Sequence, residues 1–327
     1  MVFKRLLGSL GVGGPTVDTV LDPGPVRPGS PLTGQVHLRG GRADFTVEHL
    51  TLELVARVEA EHADGESEGL VAFDRFTVGG GFRLGEGEAH SAPFSVTLPW
   101  ETPLTELYGQ GLGIVLGVRT ELSVAGARDK GDLDPLAVAP LPVQEAVLEA
   151  FGDLGFGFRS ADLEWGHISG TGQQLPFYQE IELIPAPQYA HALDEVEVTF
   201  LAGPAGVEVV LEADRRGGLF GEGHDTLVRF TVGHDDVRDW KAEIDGWMRR
   251  LIEHRSSYGT PAQYVPGGHG EHHHAGHRSG PGVGTAVAAG AAGLAAGVVG
   301  GMVAAEVVDE IGDFFEDDDE GGDEGED

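Results

Sequence analysis

Five histidines fall within the stretch HGEHHHAGH: His269, His272, His273, His274 and His277. Neutral imidazoles are good ligands for divalent transition metals, and this density offers several ligand combinations. Neither their order nor their spacing sets out a tetrahedral site. The stretch reads as a flexible, adventitious binder of nickel, copper or zinc rather than a resident metal centre. A second candidate is Asp129, Asp132 and Asp134 in GARDKGDLDP, which together could hold calcium. The EF-hand spacing and its bidentate glutamate are absent, so the plainer reading is that these carboxylates accept backbone hydrogen bonds in a tight turn, with Arg128 and Lys130 beside them. The chain has 0 cysteines, which removes disulfides, thiolate zinc sites and a cysteine nucleophile. It also lacks a G-x-S-x-G elbow, a P-loop, a dinucleotide fingerprint and an H-E-x-x-H pair. No catalytic residue and no cofactor is expected, and the chain reads as noncatalytic.

Charge narrows the partners. The formal net charge is -33, and residues 306–327 carry 13 acidic groups and no basic one, which leaves -20 on the rest. A surface of this sign repels phosphate backbones, so no nucleic-acid partner is expected, and anionic lipid is disfavoured over most of the molecule. The expected partners are proteins. No secretory signal is visible at the start, which points to the cytoplasm. Residues 1–10 can form a short amphipathic helix through Phe3, Leu6, Leu7 and Leu10, suited to docking on the first domain, with a weak membrane touch as the alternative.

The elements that would position any site are strands. Ile114, Leu116, Val118, Thr120, Leu122 and Val124 alternate with Val115, Gly117, Arg119, Glu121 and Ser123, the period of a strand with one buried face. Similar alternation marks Thr16–Leu21, Leu32–Arg39, Leu50–Ala60, Leu70–Val78 and Glu88–Leu98, with a charged loop over Glu61–Gly69. Strands parted by Gly/Pro/Asp turns, without an intervening helical period, imply a β-sandwich. Prolines 135, 140 and 142 make 139–142 a stiff hinge after a first domain over 1–138. A second sandwich is expected over 143–232, from strands at Ala146–Phe151, Phe158–Leu163, Phe177–Ile184, Glu195–Leu201, Val207–Ala213 and Thr226–Val232.

The period then changes. Over 235–255, Val237, Trp240, Ile244, Trp247, Met248 and Leu251 recur at helical spacing, with Asp236 and Asp239 as a capping pair. This helix is expected to pack on the second domain, and Trp240, Ile244, Trp247 and Leu251 are also the candidate dimer contacts. Residues 256–282 have linker composition. Residues 283–305 carry no charge, and Gly293, Gly297 and Gly301 recur every fourth position. Three readings stay open for this stretch: a self-associating or membrane-inserted glycine-zipper helix, a soluble low-complexity tail, or a segment folded back onto a sandwich. An acidic tail, 306–327, closes the chain.

Four segments carry a resemblance: KRLLGSLGVGGPTVDTVL, PGSPLTGQVHLRGG, GVRTELSVAGARDKGDLDP and VRFTVGHDDVRDWKAEIDGW. The third is the most specific, through Arg119, Thr120, Glu121, Leu122, Asp129, Lys130, Asp132, Asp134 and Pro135. The fourth supports it through Phe230, His234, Asp235, Trp240, Ile244 and Asp245. With these the chain resembles the sporulation-control protein family typified by Spo0M, similar in fold to the arrestins. The resemblance implies a mainly β chain with two tandem arrestin-like β-sandwich domains, followed here by the amphipathic helix and the low-complexity acidic tail. It also implies a regulatory or scaffolding role, linked in spore formers to sporulation and to envelope or division processes. The alternative is a membrane-associated stress or envelope factor attached through 283–305.

Overall fold

A computed structural model describes residues 13–62, 65–125, 130–213, 226–258 and 302–303. In chain order the strands are β1 (Thr16–Leu21), β2 (Pro31–Arg39), β3 (Phe45–His62), β4 (Gly65–Gly79), β5 (Phe82–Leu84), β6 (Ala89–Thr97), β7 (Glu106–Leu107), β8 (Gln110–Gly111), β9 (Leu116–Val124) and β10 (Lys130–Pro135). Helix α1 (Pro142–Leu154) follows, then β11 (Gly157–Trp165), β12 (Phe177–Ile184), β13 (Val196–Gly203), β14 (Gly206–Ala213), β15 (Thr226–Val232), α2 (Trp240–Tyr258) and β16 (Met302–Val303).

The fold is mainly β, with one large mixed sheet. Its main path runs β10-β9-β3-β11-β12-β13-β14-β15, and β4 pairs with β3 beside it. A smaller sheet, β1-β2-β6, faces its first half. The alternating residues of β3 and β9 explain this. Leu50, Leu52 and Leu54 meet Leu116, Val118 and Leu122 in one core, together with Leu32, Val36, Leu38 and Phe94 of the smaller sheet. Two inner faces closing over one shared core is how a sandwich buries its strands. The expected loop over Glu61–Gly69 is largely strand: β3 runs on to His62 and β4 starts at Gly65, with His62 opposite Gly65.

At its far end β3 meets β11 in parallel, with Glu164 opposite Glu59, and this joins the two halves into one sheet. The second half departs from expectation. Ala146–Phe151 is not a strand but the middle of α1. Pro142 is its first helical residue, where a fixed φ suits a helix start and the missing N–H costs nothing. The Leu141 N–H donates to Gln144 Oε1 at 2.8 Å, and Gly155 (φ 95°) ends the helix. Val143, Val147, Ala150 and Phe151 form the buried stripe. The described residues of the second half therefore form a single sheet whose inner face is closed by α1 and α2 rather than by a second sheet. Ile181, Leu183, Val198, Val209 and Leu211 of the sheet share their core with Phe151 of α1 and Trp247 and Leu251 of α2.

Helix α2 begins later than its apolar spacing suggested. Asp239 Oδ1 accepts the Ala242 N–H at 3.1 Å and so acts as the cap, while the Asp236 carboxylate accepts the Gly233 N–H at 2.9 Å in the preceding turn. Val237 consequently lies outside the helix and is 96% exposed, not part of the buried stripe.

Candidate functional site

Polar latches hold the two halves together. The Glu101 carboxylate accepts the backbone N–H groups of Gln174 at 2.7 Å and Leu175 at 2.9 Å. The Gln179 amide accepts from the Leu104 N–H at 2.8 Å and donates to the Leu104 carbonyl at 2.9 Å. Arg27 Nε donates to the Pro140 carbonyl at 3.0 Å. The ring of Trp100 stacks on His234, with centroids 5.0 Å apart. Hydrogen bonds of this kind contribute about 1 kcal/mol each.

Beside this junction lies a groove of about 370 Å³. The β7–β8 hairpin and the residue after it give it Leu107, Tyr108 and Leu112; α1 gives Leu148 and Phe151; the second half of the large sheet gives Phe158, Ile181 and Leu183. Tyr108 (φ 54°) is followed by Gly109 (φ 74°), two positive φ values in succession as a tight hairpin requires. A non-glycine residue held there costs roughly 1–2 kcal/mol. The turn sets the Tyr108 ring at the lip, 60% exposed, and Phe158 is 47% exposed. Glu149 and Asp153 line the groove from α1. Burial, and then the charges of Glu149, Glu145 and Asp153, raise the Tyr108 hydroxyl above its ordinary pKa. The groove thus combines an apolar floor, two exposed aromatic rings and an anionic rim. It can grip an apolar segment that carries positive charge; it holds no nucleophile paired with a base.

The outer face of the large sheet's second half carries a different cluster. Cross-strand pairing sets Asp162 beside Glu180, Glu182 beside Glu197, and Glu197 beside Glu212. Carboxylate oxygens of Glu180, Glu197 and Glu212 lie within 4.8 Å of one another. Burial, then the charges of Glu197, Asp162, Glu212 and Glu164, push Glu180 up to about 9. Burial and the charges of Glu59 and Glu182 push Asp162 up to about 6. Three oxygen donors of this type suit a hard divalent cation; without one, protonation relieves the crowding. Sequence reading missed this face. Its signal was an acidic residue at the outward position of four successive strands.

Asp132 and Asp134 of GARDKGDLDP lie on a strand, not in a polar loop. β10 pairs with β9 and sets Asp132 opposite Thr120 and Asp134 opposite Val118. Asp132 Oδ2 accepts the Thr19 N–H of β1 at 2.6 Å, and the hydroxyls of Thr19 and Thr120 are 2.6 Å apart. This carboxylate seals the outer edge of β1 and closes the sandwich seam. Burial, then the charges of Asp132 and Asp18, raise Asp134 to about 7. Asp132 thus accepts a backbone hydrogen bond, as expected, but across the seam rather than in a turn. Asp129 lies outside the described residues.

Of the candidate contact residues, Ile244, Trp247 and Leu251 are buried in the second core, where Trp247 stacks on Phe230 with centroids 4.4 Å apart. Trp240 is partly buried, with the Arg238 guanidinium 5.1 Å from its ring centroid. The stripe packs inside the molecule. His269, His272, His273, His274, His277, Gly293, Gly297 and Gly301 lie outside the described residues, as does the amphipathic stretch 1–10. Among the described residues no helix is long and apolar enough to cross a membrane.

The family model described as SpoOM protein matches residues 3–217. The chain belongs to the Spo0M family. The sporulation-control protein spo0M of Bacillus subtilis (strain 168) is 37% identical over 259 residues, which span 77% of this chain and 97% of that protein. The crystal structure of Spo0M, the sporulation control protein from Bacillus subtilis, is similar with a TM-score of 0.65 and 31% identity, over 73% of this chain and 100% of that one. The third segment, 117–135, lies within the span the family model matches. Its residues build β9 and β10, and with them the buried Thr120 and the sealing Asp132. The family model stops ahead of β15, α2 and the low-complexity stretches.

Proposed function

We propose that this Spo0M-family protein is a noncatalytic regulatory scaffold that binds protein partners through the groove between Tyr108, α1 and Phe158. The tandem arrestin-like plan is part of this reading: two units joined edge to edge, with recognition at the joint. The observation that carries it is the groove itself, in which exposed aromatic rings stand over an apolar floor beside Glu149 and Asp153. Exposed aromatics around a concave apolar surface are the usual anchors of protein recognition. The anionic rim selects a partner segment with lysine or arginine next to its apolar residues. The name of the Bacillus relative, a sporulation-control protein, supports this reading; in a host that forms no spores, we assign the same scaffold to development, envelope or division control.

A photo-crosslinking amino acid placed in the full-length protein tests this in cells. Substitution at Tyr108 or at Phe158 is expected to trap the same species, and substitution at Val20, exposed on the first sandwich, is expected not to. Replacing Glu149 and Asp153 by lysine should reduce the trapped product about tenfold, in line with roughly 1.4 kcal/mol of lost attraction. Equal trapping at Val20, or trapping insensitive to the charge reversal, would remove the groove from the reading.

A further inference from the structure

β4 has β3 on one side. On the other side it is the rim of the large sheet, and there the chain comes back from far along the sequence: Met302 pairs with Val71 and Val303 with Leu70, antiparallel. A strand rim offers a row of backbone donors and acceptors, so it accepts an added strand unless it is blocked. The outer face next to this rim is apolar. Val55 and Leu70 cluster there with Ala72 and Leu133, and Leu70 is only 3% exposed.

We propose that the edge of β4 at Leu70–Val71 is a strand-addition surface, and that its occupant in this protein is the chain's own segment around Met302 and Val303. This is independent of the groove. Reach permits it: 43 residues, 259–301, separate the end of α2 from β16, and a chain of that length can extend to roughly 140 Å at most. Tethering holds the segment at an effective concentration in the millimolar range, enough to maintain a short pairing. The pairing is also bounded by sequence. A longer zipper in the same register would set Gly301 opposite Ala72 and Gly300 opposite Phe73, and glycine weakens a strand. In the other direction it would set Ala304 opposite Gly69, where a glycine again weakens the strand. The segment is therefore a short, exchangeable cover, and an incoming strand at this rim has to displace it.

The absence of native cysteine makes a clean test. In the full-length chain, Leu70→Cys combined with Val303→Cys is expected to form an intramolecular disulfide under mild oxidation. It should form at least about tenfold faster than the pair Leu70→Cys with Val287→Cys, since directly opposed strand positions meet the distance a disulfide needs. A rate equal to the control, or cross-links only between two copies, would overturn the proposal. Because Leu70→Cys alters the apolar patch, hydrogen exchange supplies a second readout with β4 intact. Val303→Pro in the full-length chain removes a backbone donor, and amide exchange over 68–74 should speed up at least about fivefold. Unchanged exchange there would equally overturn it.

Discussion

The two halves solve one problem in different ways. Both have strands with one apolar face. In the first half a second sheet closes that face, and the seam between β1 and β10 is sealed by the Asp132 contact to the Thr19 N–H. In the second half α1 and α2 close it, and the opposite face of the sheet crowds Asp162, Glu180, Glu197 and Glu212 together. The contrast shows that strand alternation fixes which face is buried but not what buries it. It also separates two uses of a raised carboxylate: at the seam one oxygen satisfies a backbone donor, whereas on the outer face the crowding is a cost the core has to carry.

The largest expected effect tests whether the halves are energetically separate. Trp247 is 2% exposed and stacked on Phe230, so Trp247→Ala should cost about 3–5 kcal/mol. Leu52→Ala, in the first core, should cost about 2–5 kcal/mol. Leu163, Leu175 and Phe177 belong to the second half by sequence yet pack in the first core, and the latches at Glu101 and Gln179 cross the same boundary. Chemical denaturation followed by fluorescence and by circular dichroism should therefore show one coincident transition in both variants. Two resolved transitions in Trp247→Ala would make the halves independent.

The next effect belongs to the acidic face. Glu180 rises from 4.5 unfolded to about 9 folded. A carboxylate raised by folding binds its proton more tightly in the native state, so its contribution is fully present below about pH 4.5 and is lost as pH climbs toward 9. Asp162 and Asp134, raised from 3.8 to about 6 and about 7, lose theirs earlier in the same direction. Thermal stability should fall between pH 6 and pH 9, and Glu180→Gln should flatten that fall. At pH 8 the variant should be more stable than the parent by at least about 1 kcal/mol, the order of one pKa unit. An unchanged or steeper decline in the variant would show that Glu180 does not carry this pH dependence.

Much of this was legible in the chain, for reasons that specific residues make plain. The eleven residues Ile114–Val124 gave away β9 because every second side chain is apolar or threonine. α1 was misread because Ala146–Phe151 is too short a window to tell a period of two from one of 3.6; Pro142 at the helix start and Val143, Val147 and Phe151 at helical spacing were the better signal. β10 could not be seen by pattern at all, since its acidic residues face inward and Leu133 outward, the inverse of an ordinary edge strand. Val237 was assigned to the helix stripe on spacing alone, and the cap at Asp239 overrules spacing. The groove depends on the approach of distant segments, which a linear reading does not contain, and the carboxylate face depends on the register that lines up the outward acids of successive strands.

The smallest effect on stability is the sharpest test of the groove. Tyr108 stands in a left-handed backbone conformation and exposes 60% of its surface, so Tyr108→Gly removes strain while forfeiting little burial. The two terms nearly cancel, and the midpoint of unfolding should move by no more than about 1 kcal/mol in either direction. If the ring serves only the hairpin, that small shift is the whole consequence. If it anchors a partner, trapping through a crosslinker at Phe158 should fall about tenfold in Tyr108→Gly although the fold is intact. A ring that is nearly free of structural duty, held in a strained backbone at the lip of an apolar cleft, is then retained for what binds there rather than for what it packs against.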